Sequence, residues 1–189
     1  MEKKLILDAC CGGRMFWFDK KHPNVLYIDH RTTAKGLGKE HPNFQVDPDQ
    51  LMDFRALDLP DKSFKMVVFD PPHLRTATKK SYMAIKYGVL GKNWKEDLRK
   101  GFAECWRVLD DFGVLIFKWS EHDIKLPEVL KLFSERPLFG HTTGRAGQTI
   151  WLCFMKIPRP ATARGGRIDD HTQTILAGRP RRPLSGGLP

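Results

Sequence analysis

The chain has 189 residues, enough for one α/β domain with a substantial core but too few for a catalytic domain and a large separate recognition domain. Its 32 Lys and Arg residues against 22 Asp and Glu give a net charge of +10, which favours a polyanionic partner over a neutral metabolite. The sequence has no membrane-spanning stretch and no signal-like start, and its four cysteines lie in apolar runs, so we expect a reduced, cytoplasmic protein.

Five short apolar runs rich in β-branched and aromatic residues predict buried strands, at residues 5–10, 25–28, 66–69, 114–119 and 150–155. Most of these runs are continuous rather than alternating, as expected when helices cover both faces of a parallel sheet. Residues 137–142, a Gly-containing loop and residues 149–155 predict a closing antiparallel hairpin. We therefore predict a doubly wound, Rossmann-like α/β sheet, mostly parallel, with an antiparallel C-terminal edge.

The clearest helical signal follows Asn93, which can cap a helix together with Glu96 three residues later. Apolar residues then recur at spacings of three and four, at Trp94, Leu98, Phe102, Cys105 and Leu109. Pro127 predicts a second helix to about residue 133, and a short helical stretch is expected from Arg14. Residues 30–50 have no helical period and predict a loop. Residues 1–156 form the predicted domain, and residues 157–189, rich in Pro, Gly and Arg, predict a disordered tail.

Acidic residues stand at the ends of successive predicted strands. Asp8 ends the first and is followed by a small-residue turn whose Gly12 and Gly13 allow close backbone approach to a ligand. Two adjacent glycines do not match the dinucleotide G-x-G-x-x-G pattern, so a pyrophosphate cradle is not predicted. Asp29 ends the second strand, where doubly wound folds place a carboxylate against ribose hydroxyls, and Asp53 is the third acid. These acids suit a ligand with a cationic amino-acid end, a ribose and an adenine better than one with phosphates.

A stiff, acceptor-rich loop follows the third predicted strand as Asp70-Pro71-Pro72-His73. Consecutive prolines restrict the backbone and have no N–H, so the Asp70 carboxylate and the Pro71 carbonyl are acceptors in a rigid frame. Such a frame suits an –NH2 group with two donor hydrogens, and the His73 ring can stack on a planar substrate. The loop therefore predicts a site for an amine nucleophile.

Together these motifs resemble the class I S-adenosylmethionine-dependent methyltransferases, over about residues 4–156. The resemblance implies S-adenosyl-L-methionine as the cofactor, with the ribose bound by Asp29. The first-strand motif would supply Asp8, Ala9, Cys10, Gly12 and Gly13, and the adenine-side motif would supply Asp53 and Phe54. Cys10-Cys11 stands where the family usually has a glycine.

The Asp-Pro-Pro-aromatic sequence resembles the fourth motif of the amino-methylating members, which act on adenine N6, cytosine N4, guanine N2 or a protein glutamine amide. His73 stands where Tyr, Phe or Trp is usual. Residues 67–74, 101–109 and 116–119 are also similar to a group of small phage and prophage DNA methyltransferases. The resemblance implies in-line methyl transfer, with Asp70, Pro71, Pro72 and His73 as the catalytic motif. The histidines and cysteines show no paired ligand spacing, so no metal site is predicted.

A basic segment with interleaved aromatic residues, 75–100, directly follows this motif, where a phosphate backbone would pass. We predict a nucleic-acid partner, DNA rather than RNA, with adenine N6 as the acceptor and no membrane contact. The predicted substrate-binding residues are Arg75, Lys79, Lys80, Lys118 and Trp119, although Trp119 is equally compatible with the core. The alternatives are a solvated basic surface on a methyltransferase for a protein amide or small amine, or a non-catalytic nucleic-acid-binding module.

Overall fold

A computed structural model gives the structure and describes residues 3–37, 39–76, 81–143 and 148–158. In these residues seven strands form one sheet and three helices are present. The strands are β1 (Ile6–Asp8), β2 (Val25–Asp29), β3 (Gln50–Leu51), β4 (Phe64–Phe69), β5 (Leu109–Ser120), β6 (Phe139–Thr143) and β7 (Thr149–Met155). The helices are α1 (Tyr82–Tyr87), α2 (Trp94–Val108) and α3 (Leu126–Leu130). No helix in this part of the chain has the length and apolar character needed to cross a membrane.

The strand order is β3-β2-β1-β4-β5-β7-β6. The first five strands in this order are parallel, and β7 pairs antiparallel with both β5 and β6. The predicted doubly wound sheet with an antiparallel C-terminal hairpin is confirmed. From β1 the chain continues to β2 and β3 on one side of the sheet, and from β4 it continues to β5 on the other side. The carboxyl ends of β1 and β4 therefore flank a topological switch point.

The core lies between the sheet and the apolar face of α2. Gly101 lets this helix approach closely, because a Cβ there would lie 2.4 Å from Cδ2 of Phe54. The next residue, Phe102, is 1% exposed and stacks on Phe133 with the ring centroids 4.1 Å apart. This packing fixes Phe54, and with it the segment after β3, against the sheet.

Several local predictions are corrected by the structure. No helix follows Arg14, whose φ of 53° lies in the left-handed region. Its guanidinium instead binds the Lys20 and Asp47 carbonyls, both at 2.7 Å, and closes a turn. Asn93 precedes α2 without a side-chain capping hydrogen bond, and Glu96 pairs with Arg99 rather than completing a capping box.

Other boundaries differ from the prediction by a few residues. β5 begins at Leu109 rather than at residue 114, directly after α2, and α3 ends at Leu130. The helix α1 and the two-residue strand β3 carry no sequence signal long enough to predict them. Residues 30–37 and 39–49 contain neither helix nor strand, which confirms the predicted loop there. The predicted tail lies outside the described residues from residue 159 onward.

Candidate active site

The carboxyl ends of β1, β2 and β4 meet at one edge of the sheet and surround a cleft. The sequence-predicted residues that line it are Ala9, Cys10, Gly12, Gly13, Asp29, Phe54, Asp70, Pro71, Pro72, His73 and Lys118. The structure therefore brings most of the predicted cofactor residues and the whole Asp-Pro-Pro-His motif into one site. Burial raises the pKa of the Cys10 and Cys11 thiols, so both stay uncharged and are poor nucleophiles.

Asp8 lies behind the cleft and is fully buried. One carboxylate oxygen accepts from Trp17 Nε1 at 2.7 Å and the other from the Cys10 amide at 3.3 Å. Burial raises the pKa of Asp8 to about 7, against the lowering effect of these two hydrogen bonds. Trp17, which follows the glycine turn, was not predicted as part of this site.

Asp29 connects the glycine turn with the start of the next loop. Its Oδ2 accepts from the Gly12 amide at 3.0 Å, and its Oδ1 accepts from the Arg31 amide at 3.2 Å. Gly12 has a φ of 48°, which favours glycine. A Cβ on Gly13 would lie 2.6 Å from the Phe44 ring, so the second glycine is required by packing as well as by the cleft.

Asp53 and Phe54 have different environments although they are adjacent. Arg55 binds both Asp53 oxygens through Nε, at 2.9 and 3.0 Å, and this contact lowers the pKa of Asp53. Arg55 also pairs with Asp97 on α2 at 3.0 Å. The Asp53 carboxylate is therefore committed to a side-chain network and does not line the cleft, whereas Phe54 does.

The Asp70 carboxylate forms an ion pair with Lys118, whose Nζ lies 2.7 Å from Oδ2. Burial raises the pKa of Asp70, and the neighbouring Lys118 charge opposes that rise. Among the described residues, no hydrogen bond reaches Asp70 Oδ1 or the Pro71 carbonyl. Two acceptors of the predicted amine site therefore remain available, in a loop whose two prolines are buried.

A second cavity of about 370 Å³ adjoins the first and shares Asp70, His73, Tyr87 and Lys118 with it. Its remaining walls are Leu74, Met83, Ser120, His122 and Thr149. The size falls in the range of small-molecule sites. The His73 and Tyr87 ring centroids are 5.6 Å apart, and burial lowers the pKa of His73, so its ring is uncharged at neutral pH. Asp70 and His73 stand at the junction of the two cavities.

Sequence reasoning missed the contribution of α1. Its C-terminal carbonyls accept hydrogen bonds from Arg31, with Nη1 at 2.7 Å from the Ile85 oxygen and Nη2 at 3.3 Å from the Lys86 oxygen. Gly88 follows with a φ of 78°, and a Cβ there would lie 2.9 Å from Cγ of Pro72. These contacts hold α1 against the motif and bring Tyr87 into the site. A helix of six residues has too little periodicity to be found from the sequence.

Two other predicted substrate residues, Arg75 and Trp119, lie outside the site. Arg75 is exposed and lines neither cavity, while its amide donates to Asp123 at 2.8 Å. Trp119 is 1% exposed and donates from Nε1 to the Ile124 carbonyl at 2.9 Å, so it belongs to the core. Lys79 and Lys80 lie outside the described residues. In the described part of the chain, no group of three His, Cys, Asp or Glu residues could hold a metal ion.

Comparison with protein-family models and with curated proteins found no match. Solved structures are similar to the chain in fold. The PH0226 protein of Pyrococcus horikoshii OT3 is 14% identical, with a TM-score of 0.54 and 83% of each chain covered. A SAM-dependent methyltransferase of Methanosarcina mazei is 12% identical, with a TM-score of 0.47 over 84% of this chain and 95% of that one. A SAM-dependent methyltransferase of Leishmania major is 16% identical, with a TM-score of 0.47 over 80% of this chain and 63% of that one.

Proposed function

We propose that the protein is an S-adenosylmethionine-dependent N-methyltransferase that modifies an exocyclic amino group of a nucleic-acid base, with adenine N6 in DNA as the leading acceptor. The observation that carries this proposal is the junction of the two cavities. There Asp70 Oδ1 and the Pro71 carbonyl are acceptors without a hydrogen bond from any described residue. A planar –NH2 group has the two donors that would satisfy both acceptors.

The chemistry of the first cavity fits the proposed cofactor. Asp29 lines the cleft and provides a carboxylate for a cationic ligand, and the Gly12–Gly13 turn leaves room for close approach of its methionine end. Asp29, at the end of β2, would accept hydrogen bonds from the ribose hydroxyls of the cofactor, and the Phe54 ring would pack against its adenine. When bound, S-adenosylmethionine would supply an electrophilic methyl group on a positively charged sulfur.

The protein's own groups would act mainly by positioning. Asp70 and Pro71 accept the two amine hydrogens, which orients the nitrogen lone pair toward the methyl carbon and increases electron density on the nitrogen. The carbon–nitrogen bond would form as the carbon–sulfur bond of the cofactor breaks and leaves its electron pair on the sulfur. The methylated nitrogen would then release one proton to Asp70 and from there to solvent. The neighbouring His73 and Tyr87 rings would stack on a planar acceptor in the second cavity.

The net charge of +10 supports a nucleic-acid partner. The order in the chain also supports it, because the basic segment 75–100 directly follows the motif that faces the second cavity. A base within a duplex would have to leave the stack to reach Asp70. A protein amide or a small amine would also fit the two acceptors, but it would leave the basic segment without a role.

The deciding experiment uses cofactor labelled with isotope in its methyl group. The protein is incubated with unmethylated DNA, with RNA and with protein extract, and the labelled nucleoside or residue is identified by mass spectrometry. We expect labelled N6-methyl-2′-deoxyadenosine from DNA, and a rate that falls steeply with salt because counterions are released from phosphates. Label in protein or in small amines would favour the alternative acceptors, and calorimetric cofactor binding with no transfer to any pool would favour a non-catalytic module.

Asp70→Ala is expected to abolish transfer while leaving cofactor binding nearly intact. Asp58→Ala is the matched control, because Asp58 is an exposed carboxylate that does not line the cleft. Full activity of Asp70→Ala would contradict the assigned role of this carboxylate.

A further inference from the structure

We propose that Lys118 is a positioning residue of this site, which holds one oxygen of Asp70 and keeps the carboxylate in the form that accepts hydrogen bonds from the amine. The inference rests on the proposed function for its chemical meaning. The pairing of Lys118 with Asp70 and the titration of Asp70 can, however, be measured without any methyl acceptor.

The strand register places the two side chains together. β4 and β5 are parallel with Phe69 opposite Phe117, so the next residues along each strand, Asp70 and Lys118, also lie side by side. Burial alternates along β5, and Phe117 and Trp119 point into the core while Lys118 faces the cleft. The side chains of Lys118 and Asp70 are 23% and 21% exposed, so water screens their attraction only in part.

Two aromatic rings surround the other sides of the Lys118 ammonium group. Nζ lies 5.8 Å from the Phe16 ring centroid and 5.6 Å from that of Trp151, which is opposite Lys118 in the β5–β7 pair. These two rings contact each other edge to face with centroids 5.5 Å apart. The ammonium group is therefore held between ring faces and the carboxylate, which restricts the choice of partner for its charge.

The charges around Asp70 explain why this pairing matters. Asp8 on β1 is close enough for the two carboxylates to repel each other, the Cys10 thiol lies in the same environment, and the adjacent His73 is uncharged at neutral pH. Lys118 is the cation that opposes the effect of burial on the pKa of Asp70. A protonated Asp70 would present an O–H donor to the amine and would be a weaker hydrogen-bond acceptor than the carboxylate. Lys118 thus favours the ionised form of Asp70, which accepts hydrogen bonds from the amine.

The test compares Lys118→Met, Lys118→Arg and the wild type. Methyl transfer is followed from pH 4 to pH 10, and the Asp70 carboxyl is titrated by ¹³C NMR with the signal assigned through Asp70→Asn. In Lys118→Met the midpoint of the Asp70 carboxyl titration should move to higher pH. The acid limb of the plot of methyl-transfer rate against pH should move by the same amount. A shift of one pH unit lowers the rate on that limb about tenfold, and raising the pH recovers it. Lys118→Arg retains the charge and should leave both midpoints near those of the wild type.

Lys65→Met provides the matched control, because Lys65 lies on β4 and pairs with Asp110 at the same 2.7 Å, away from the cleft. It should change neither the Asp70 midpoint nor the pH profile. If the Asp70 midpoint stays in place in Lys118→Met and activity falls equally at every pH, Lys118 is a substrate contact and the inference is overturned. Far-ultraviolet circular dichroism and calorimetric cofactor binding establish that each variant is folded. Absence of methyl transfer by the wild type would count against the proposed function, while the NMR titration would still decide the role of Lys118.

Discussion

Replacement of Asp8 by Asn should remove a specific pH dependence from the stability of the protein. Asp8 is fully buried and has a pKa of about 7, against an ordinary value of 3.8 in the unfolded chain. The difference corresponds to about 4 kcal/mol, the cost of ionising this carboxyl in the folded protein. The largest cause is burial, and the hydrogen bonds from two neutral donors, Trp17 Nε1 and the Cys10 amide, offset it only in part.

The sign follows from proton binding. Between pH 3.8 and about 7 the folded protein holds a proton on Asp8 that the unfolded chain has already released. The stabilisation is complete below the unfolded pKa and is lost as the pH rises through the folded one, at about 1.4 kcal/mol per pH unit. Asn cannot titrate, so its variant lacks this slope. The Asn NH2 group must face one of the two donors, which costs about 1–3 kcal/mol at every pH and leaves the slope unaffected.

Urea denaturation of the cofactor-free protein at pH 5, 6, 7 and 8 measures the effect. The free energy of unfolding of the wild type minus that of Asp8→Asn should fall by about 3 kcal/mol from pH 5 to pH 8. The subtraction removes the contribution of groups that titrate alike in both proteins. Asp58→Asn, at an exposed carboxylate, should run parallel to the wild type. Parallel curves for Asp8→Asn would refute the conclusion that burial holds a proton on Asp8.

Three further substitutions test other parts of the site. Asp29→Ala should raise the calorimetric dissociation constant of S-adenosylmethionine at least about tenfold, because it removes a charged acceptor and the partner of the Gly12 amide; an unchanged constant would exclude the ribose assignment. Gly13→Ala should lower the free energy of unfolding by about 1–3 kcal/mol through its clash with Phe44. In a double-mutant cycle, Gly13→Ala should destabilise the protein less in the Phe44→Ala background than in the wild type. Tyr87→Leu should raise KM for DNA by about fivefold or more while Tyr87→Phe does not, and equal effects in both variants would rule out stacking as the role of this ring.

The fold and the position of Asp29 and Asp70 at one edge of the sheet could be predicted because both depend on short-range pattern. Continuous apolar runs identify buried parallel strands, and the residue after such a strand lies at its carboxyl end. Asp29 and Asp70 therefore had to lie near one edge of the sheet once their strands were identified. The same pattern predicted that Gly12 would be next to a ligand cleft.

The ion-pair and hydrogen-bond partners of the site's side chains could not be predicted, because they depend on strand register and on segments with weak hydrophobic patterns. Nothing in the sequence fixes β4 against β5, so the ion pair between Asp70 and Lys118 appears only in the structure. Arg31 contacts a helix more than fifty positions away that is too short to recognise. The ion pair of Asp53 is the exception, because its partner Arg55 is only two residues away in the sequence. An acid and an arginine at positions i and i+2 of a turn indicate that the carboxylate pairs with the arginine rather than with a ligand.

The partners of the two buried carboxylates also bear on which amine the site accepts. Asp8 is bound by neutral donors, whereas Asp70 is already neutralised by the Lys118 ammonium group. Lys118 lines both cavities, and on the acceptor side its cation lies next to the Asp70 carboxylate. An aliphatic amine is an ammonium ion at neutral pH, so it would meet repulsion from Lys118 and would have no lone pair for transfer. An aromatic amine is neutral, keeps its lone pair and offers two donors to Asp70 and Pro71. The charge distribution thus favours a base amino group over an aliphatic amine, independently of the basic segment that follows the motif.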